Sequence, residues 1–425
     1  MDHVNSYYAA TANTFAAWPT LQDTIECDVC VIGAGFTGLS SALFLTEAGF
    51  DVVVLEAARV GFGASGRNGG QVVNSYSRDI DVIEKHYGQE SARMLGSMMF
   101  EGAEIIHDRI DRYAINCDYR PGGIFAALNA RQMAHLRQQK ERWQRYGNHQ
   151  LELLDETGIR REIASERFVG GLLDKRGGHL HPLNLALGEA EAIRRHGGRI
   201  YERSAAVRVE HGATKRVYTA EGCVQAKYII WATNAYLTPD VEPRLTKRSM
   251  PCGSQIVVTE PLSNDLALSL LPNNRCVEDC NYLLDYFRLT ADNRLLFGGG
   301  VIYGAREPDD VISLIRPKML KTFPQLQGVK FDYAWSGNFL LTLSRMPQLG
   351  QFEEGEFYIQ GDSGHGVTFT HLAGRLVTEA IRGEKQRFDA FARLPQLPFP
   401  GGHRLRIPFT AIGAAWYALR DRFGV

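Results

Sequence analysis

The residues best suited to chemistry form a glycine turn near the start of the chain. Gly33-Ala34-Gly35-Phe36-Thr37-Gly38 follows the apolar run Asp28-Val29-Cys30-Val31-Ile32 and leads into a helical pattern from Thr37 to Glu47. Gly33 permits the tight turn, Gly35 lets a pyrophosphate approach the backbone, and Gly38 lets helix and strand pack closely. The helix start offers unpaired N–H groups and partial positive charge to that pyrophosphate. A second apolar run, Val52-Val53-Val54-Leu55, ends at Glu56, 18 residues beyond Gly38, where a carboxylate accepts from a ribose hydroxyl. Strand, helix, strand and acid in this order predict a dinucleotide site.

Two more glycine-rich segments have the same character. Gly61-Phe62-Gly63-Ala64-Ser65-Gly66-Arg67-Asn68-Gly69-Gly70 holds five glycines in ten residues, which suits backbone that touches a ligand closely. Gly361-Asp362-Ser363-Gly364-His365-Gly366 follows the strand pattern Phe357–Gln360 and opens a helix carrying Leu372, Leu376, Val377, Ala380 and Ile381. That helix start would place positive potential beside an anionic group. Gly298-Gly299-Gly300 reads as a strand-end turn, because Val301-Ile302-Tyr303 and Pro308 make no amphipathic helix. A single dinucleotide fingerprint leaves no dedicated site for a second dinucleotide.

The elements that must position these loops imply two domains, the default for 425 residues. Hydrophobic content of 44% and charge of 22% fit a soluble globular enzyme. A net charge of −1 gives no electrostatic case for nucleic acid or an anionic membrane. No apolar run reaches the roughly 18–20 residues of a membrane span, and the start of the chain lacks a signal-peptide pattern. Seven scattered cysteines fit a reducing cytoplasm. Cys27 and Cys30, flanking the first strand, are expected to face opposite sides, about 10 Å apart, and to carry no redox or metal role. No metal site is expected.

Further along, helices are predicted over about Ser91–Tyr113, Arg131–Tyr146 and Leu183–His196. Strand signals at Ala205–Val209 and Tyr228–Trp231 suggest a return to the nucleotide sheet. From Ser249 to Leu343 strands dominate: Gln255–Thr259, Tyr282–Leu289, Arg294–Phe297 and Phe339–Leu343. The fold class expected is α/β with an α+β second domain. A Rossmann-like domain from 1–112, 171–248 and 346–425 joins a largely antiparallel domain from 113–170 and 249–345. The tail Ala411–Arg420 reads as a docked amphipathic helix in which Phe409, Trp416, Tyr417 and Leu419 suit burial.

Taken together, Gly33–Gly38, Glu56, Ala64–Gly70, Ala232-Thr233-Asn234 and Ser363-Gly364-His365-Gly366 resemble the D-amino-acid oxidase/glycine oxidase/sarcosine oxidase class of FAD enzymes. Longer stretches, including Val60–Glu84, Cys117–Gly123, Tyr303-Gly304-Ala305-Arg306 and Trp335–Phe339, are closer still to bacterial oxidases of γ-glutamyl amines. The resemblance implies FAD extended along the sheet and substrate under the flavin ring. It implies oxidation of the free amino end of γ-glutamylputrescine to the aldehyde through an imine, with oxygen reduced to hydrogen peroxide. A dehydrogenase passing electrons to a quinone or other carrier is the alternative. The FAD is expected to be dissociable, since no cysteine falls at the attachment position of covalent relatives.

The cofactor set expected on this basis is Gly33, Gly35, Phe36, Thr37, Gly38, Glu56, Ala57, Gly63, Ala64, Ser65, Gly66, Arg67, Asn68, Gly69, Gly70, Val207, Ala232, Thr233, Asn234, Ser363, Gly364, His365, Gly366, Val367 and Thr368. Substrate contacts are expected from Tyr282, Tyr286, Arg288 and Arg345, the last two as carboxylate clamps. Tyr282 and Tyr286 would alternate onto one face of a strand. His365, Arg67 and Arg345 are the catalytic candidates; His365 adds charge near the flavin or merely caps its turn. Asp362 stands where the family more often has an aromatic, and is expected to point away or cap the helix. His179 and His181 read as turn residues.

Overall fold

The protein, seen in a computed structural model, is described over residues 1–14, 16–238, 240–304, 306–400 and 402–423. Ala305 and the side chain of Tyr417 lie outside the described residues.

Two sheets organise the chain. The first has the strand Thr24–Ile32 at its centre, parallel to Val52–Leu55 on one side and to Cys223–Trp231 on the other. Arg199–Tyr201 extends it beyond Val52–Leu55, and Glu356–Gln360 beyond Cys223–Trp231, both parallel. The four residues Val52–Leu55 are buried throughout, as strands covered on both faces must be. Helices Phe36–Glu47, Pro182–Arg195 and Gly366–Ile381 supply much of that cover, through Leu39, Leu43, Ala186, Ala190, Leu372 and Leu376.

The second sheet is mostly antiparallel. Its long strands Ser249–Thr259 and Phe331–Thr342 pair over almost their whole length, and Leu295–Tyr303, Tyr286–Leu289, Cys276–Asp279, Arg120–Ala127 and Gly170–His179 follow in order. One pair, Cys276–Asp279 with Arg120–Ala127, is parallel. Phe287, Phe297 and Phe323 fill the core on one face of this sheet, leaving the other face to meet the first unit. The architecture is the mixed α/β arrangement expected.

Several local expectations need correction. Gly170–His179 belongs to the second sheet, paired to Arg120–Ala127, although 171 onward was assigned to the nucleotide unit. The predicted helix Ser91–Tyr113 is two helices, Ile80–Met98 and Glu101–Tyr113, and the first kinks at Gly88, whose φ is +84. Gly298–Gly300 is no strand-end turn, because the strand Leu295–Tyr303 runs through it. Glycine is needed there because a Cβ on Gly298 would lie 2.1 Å from the Tyr286 ring.

Cys27 and Cys30 do not face opposite sides. Asp28 and Val29 both donate to the Asp51 carbonyl, which shifts the alternation so that both thiols meet one apolar cluster. Both are free. The tail helix Gly402–Phe423 forms, but Phe409, Trp416 and Leu419 are exposed rather than buried. Among the described residues, no helix is long and apolar enough to cross a membrane.

Candidate active site

A cavity of about 780 Å³ is lined by residues of both sheets, within the size range of a buried ligand site. The first sheet contributes loops at the carboxyl ends of its parallel strands, where open α/β folds bind ligands. Gly33 turns with φ +110, and a Cβ there would sit 2.7 Å from the Ala232 carbonyl. A Cβ on Gly38 would fall 1.8 Å from the Gly33 carbonyl, so this glycine closes helix against turn and does not line the cavity. Glu56 reaches back into the turn, where Ala34 N–H and Ala58 N–H each donate to its carboxylate at 2.8 Å. Burial raises its pKa against those bonds.

The second glycine loop is held, not slack. Asn68 donates to the carbonyls of Ala64 and Ser65 and accepts from Gly70 N–H at 2.7 Å. The Ser65 hydroxyl accepts from Phe36 N–H at 2.8 Å, tying this loop to the first. Arg67 is buried; its Nε donates to the Phe62 carbonyl at 2.8 Å and its guanidinium lies 4.4 Å from the Phe62 ring centre. Its terminal nitrogens make no hydrogen bond or ion pair among the described residues.

The third turn completes this wall. Asp362 accepts from Gly364 N–H at 3.0 Å and from the Asn234 amide at 2.9 Å, so it pins the turn to the Ala232–Asn234 segment instead of pointing away. Burial raises its pKa. His365 is half-buried, and desolvation pushes its pKa down to about 4, so it is a neutral ring rather than a charge. The helix behind it begins at Gly366 with no side-chain cap, and the helix at Phe36 has none from its own N-cap Gly35, with only its first N–H met by Ser65. Both thus present unsatisfied N–H groups to one cavity.

These features fit FAD. Two uncapped helix starts suit an anionic pyrophosphate and an electron-rich ring. His365 Nδ1 and Trp231 Nε1, from residues that line the cavity, are buried without hydrogen-bond partners among the described residues. Of the expected cofactor set, Gly33, Gly35, Phe36, Thr37, Glu56, Ala57, Gly63, Ala64, Ser65, Arg67, Asn68, Gly69, Ala232, Thr233, Asn234, Ser363, Gly364, His365, Gly366, Val367 and Thr368 line the cavity. Gly66 and Gly70 lie behind it, packed on the carbonyls of Gly61 and Leu180. Val207 is 54% exposed and its neighbours Ala205 and Ala206 line the cavity instead.

The second sheet supplies the opposite wall with side chains. Tyr286 packs against Gly69, where a Cβ would meet its ring at 2.6 Å, and shares a 3.2 Å hydrogen bond with the Ser254 hydroxyl. Tyr282 lies in the turn before that strand, not on it, yet both tyrosines line the cavity. Arg345 donates to the Tyr282 hydroxyl at 2.6 Å and holds a left-handed backbone, φ +63. Arg288 is elsewhere. Its guanidinium is spent on the carbonyls of Gly69, Leu180 and Leu289 and on the Tyr8 hydroxyl, so it clamps the fold and not a carboxylate.

His179 ends a buried strand, while His181 caps the Pro182–Arg195 helix by accepting from Asn184 N–H. Sequence reasoning missed Glu278, Ser254, Asn338 and Phe339, which also line the cavity. Val277 points into the second core, so Glu278, the next residue on the strand, faces the other way, toward the cavity.

Fold and site together define a flavin-dependent oxidoreductase. Residues 28–380 match the family model DAO, FAD dependent oxidoreductase, and the chain belongs to that family. It is 69% identical over 424 residues to gamma-glutamylputrescine oxidoreductase of Escherichia coli (strain K12), covering 100% of both chains. It is 42% identical over 429 residues to the probable oxidoreductase OrdL of Haemophilus influenzae, covering 99% of this chain and 98% of that one. Among solved structures, glycine oxidase from Geobacillus kaustophilus aligns with a TM-score of 0.69 at 20% identity, over 84% of this chain and 95% of that one.

Proposed function

We propose that the protein oxidises the terminal primary amine of γ-glutamylputrescine to the aldehyde. The observation that carries this is the full-length 69% identity to gamma-glutamylputrescine oxidoreductase. FAD, held by the glycine turns of the first sheet, would supply the acceptor for the hydride equivalent lost from the carbon beside the nitrogen, leaving an imine for water to hydrolyse. The residues around the first sheet hold the cofactor non-covalently, and the second sheet holds the substrate. Arg345, steadied by Tyr282, takes the substrate's carboxylate through charge-assisted hydrogen bonds. Arg67 contributes its unpaired terminal nitrogens to an anionic group, and neutral His365 a ring nitrogen. Walls of Tyr282, Tyr286 and Phe339 exclude water and disfavour the substrate ammonium.

The test is anaerobic mixing of the yellow protein with a panel of γ-glutamylated and free amines, followed by flavin bleaching. γ-Glutamylputrescine should bleach fastest; faster bleaching by sarcosine or a D-amino acid would overturn the substrate. Oxygen is the proposed acceptor, with hydrogen peroxide as product. The exposed apolar residues Leu405, Phe409, Ile412 and Trp416 on the tail helix favour one second reading, delivery of electrons to a carrier at a membrane surface. Peroxide formed at the rate of amine consumption, with no added acceptor, would exclude it.

A further inference from the structure

Six carboxylates line the cavity, and five are engaged. Glu56 accepts from two backbone N–H groups, and Asp362 from Gly364 and Asn234. Asp79 is paired with Arg142 and Trp143, Asp81 caps Val82, and Asp279 accepts from Asn281. Glu278 alone makes no hydrogen bond or ion pair among the described residues. Its strand partner Tyr286 shares its face, while Val277 and Phe287 fill the core behind. Glu278 is half-buried and lines the cavity. An unpaired carboxylate in such a place is costly unless a cation is meant to meet it.

We propose that Glu278 is the acid–base residue of this site: it receives the terminal ammonium of the substrate and takes one proton from it. The step is R–CH2–NH3⁺ plus carboxylate giving R–CH2–NH2 plus carboxylic acid. One N–H bond breaks, one O–H bond forms, and the nitrogen lone pair is freed to expel hydride from the adjacent carbon to the FAD of the family reaction. This rests on the amine-oxidising reading above. Arg345 and Glu278 both line the cavity, and Arg345 bonds Tyr282 rather than Glu278, so the cavity offers a cation and an anion, as a long substrate with a carboxylate and a remote ammonium requires.

The surroundings are matched to the task. Burial, then the neighbouring Asp279, pushes Glu278 up to about 8. Asp279 itself is raised to about 7, so both titrate near neutrality. Cys276 and Cys280 flank them with thiols that burial raises. Tyr286 faces Glu278 from the adjacent strand with a phenol pushed up by burial. On the other side the Arg120–Ala127 strand places Phe125 beside it, and helix Ala130–Arg145 adds His135 to the cavity rim. An alkylammonium has a pKa of ~10.4 in water, and full burial lowers it by up to roughly 3 to 5, bringing it to the carboxylate's range.

The experiment compares wild type, Glu278→Gln and Glu278→Asp holoenzymes by anaerobic flavin bleaching with γ-glutamylputrescine from pH 6.5 to 10.5. Wild type should lose bleaching efficiency about tenfold per pH unit below about 8, as Glu278 protonates. Glu278→Gln should be slower by about 100-fold or more at pH 7.5. Its deficit should shrink below about tenfold at pH 10.5, where the free amine already exists. Glu278→Asp should keep the wild-type pH shape at reduced rate.

A second readout needs no turnover: N-(γ-glutamyl)butylamine, which lacks the terminal amine, should perturb the oxidised flavin spectrum with equal affinity in wild type and Glu278→Gln. A wild-type-to-Gln ratio independent of pH, or equal losses of analogue binding and bleaching, would overturn the proposal. If γ-glutamylputrescine fails to bleach the wild type, the substrate reading falls. The same pH comparison with whichever amine does bleach then decides Glu278.

Discussion

The two walls of the cavity are made differently. The wall on the first sheet is largely main chain: glycine turns at Gly33–Gly38, Gly61–Gly70 and Gly361–Gly366, and two uncapped helix starts. The wall on the second sheet is side chain: Tyr282, Tyr286, Glu278, Arg345 and Phe339 standing on strands and turns. A main-chain wall constrains residue type at many neighbouring positions, since any Cβ in the wrong place clashes. A side-chain wall constrains only which way each residue points, and that depends on strand phase and turn geometry set by distant parts of the chain.

The sharpest break of the main-chain wall is Gly38→Ala. The new Cβ meets the Gly33 carbonyl, backbone on backbone, and neither can yield. No yellow holoenzyme should be recovered, and the apoprotein should lose more than about 3 kcal/mol in denaturant unfolding. Arg288→Met comes next. It strands three buried carbonyls and the Tyr8 hydroxyl, at a cost of about 3 kcal/mol, while the surviving folded enzyme keeps its KM.

Arg345→Met should do the opposite, raising KM by about 100-fold, about 2.7 kcal/mol, with little change in melting temperature. If Arg288→Met moved KM and Arg345→Met moved stability, the assignment of the two arginines would be reversed.

The smallest effect lies beneath both walls. His181 is 3% exposed, and burial lowers its pKa from 6.5 to about 3. The unfolded chain therefore binds a proton below about pH 6.5 that the folded ring refuses until about pH 3. Stability is lost as pH falls through that window, by about 2 kcal/mol at pH 5. His181→Asn, which can still cap the helix, should flatten the pH dependence of the denaturation midpoint by that amount.

The contrast between walls also explains what was legible in the sequence. The dinucleotide turn, the glycine loop and the late turn were readable because each needs glycines at fixed spacing. Val207 was misplaced because its loop exposes it and turns Ala205 and Ala206 inward. Arg288 looked like a ligand-binding arginine because its strand does reach the cavity. Only the fold reveals that Tyr8 and the carbonyls of Gly69 and Leu180, all from distant segments, consume it. Glu278 was passed over because a single acid in a strand carries no spacing signature. Tyr282 reaches the cavity by a route other than the strand alternation expected, since a turn brings it beside Tyr286.

The topology of the first sheet has a consequence for how the protein is made. Thr24–Ile32 needs Val52–Leu55 on one edge, available at once, and Cys223–Trp231 on the other, which lies 199 residues further on by the register Thr24↔Cys223. The latter strand in turn waits for Glu356–Gln360. At about 5–20 residues per second, roughly 15–65 s separate synthesis of the first strand from arrival of the last parallel one. Until then the nascent chain carries an open apolar strand edge, the kind of surface that pairs with other chains. Flavin capture therefore follows synthesis rather than accompanying it. Chains ending before Gln360 should be found in aggregates, not as small nucleotide-binding domains.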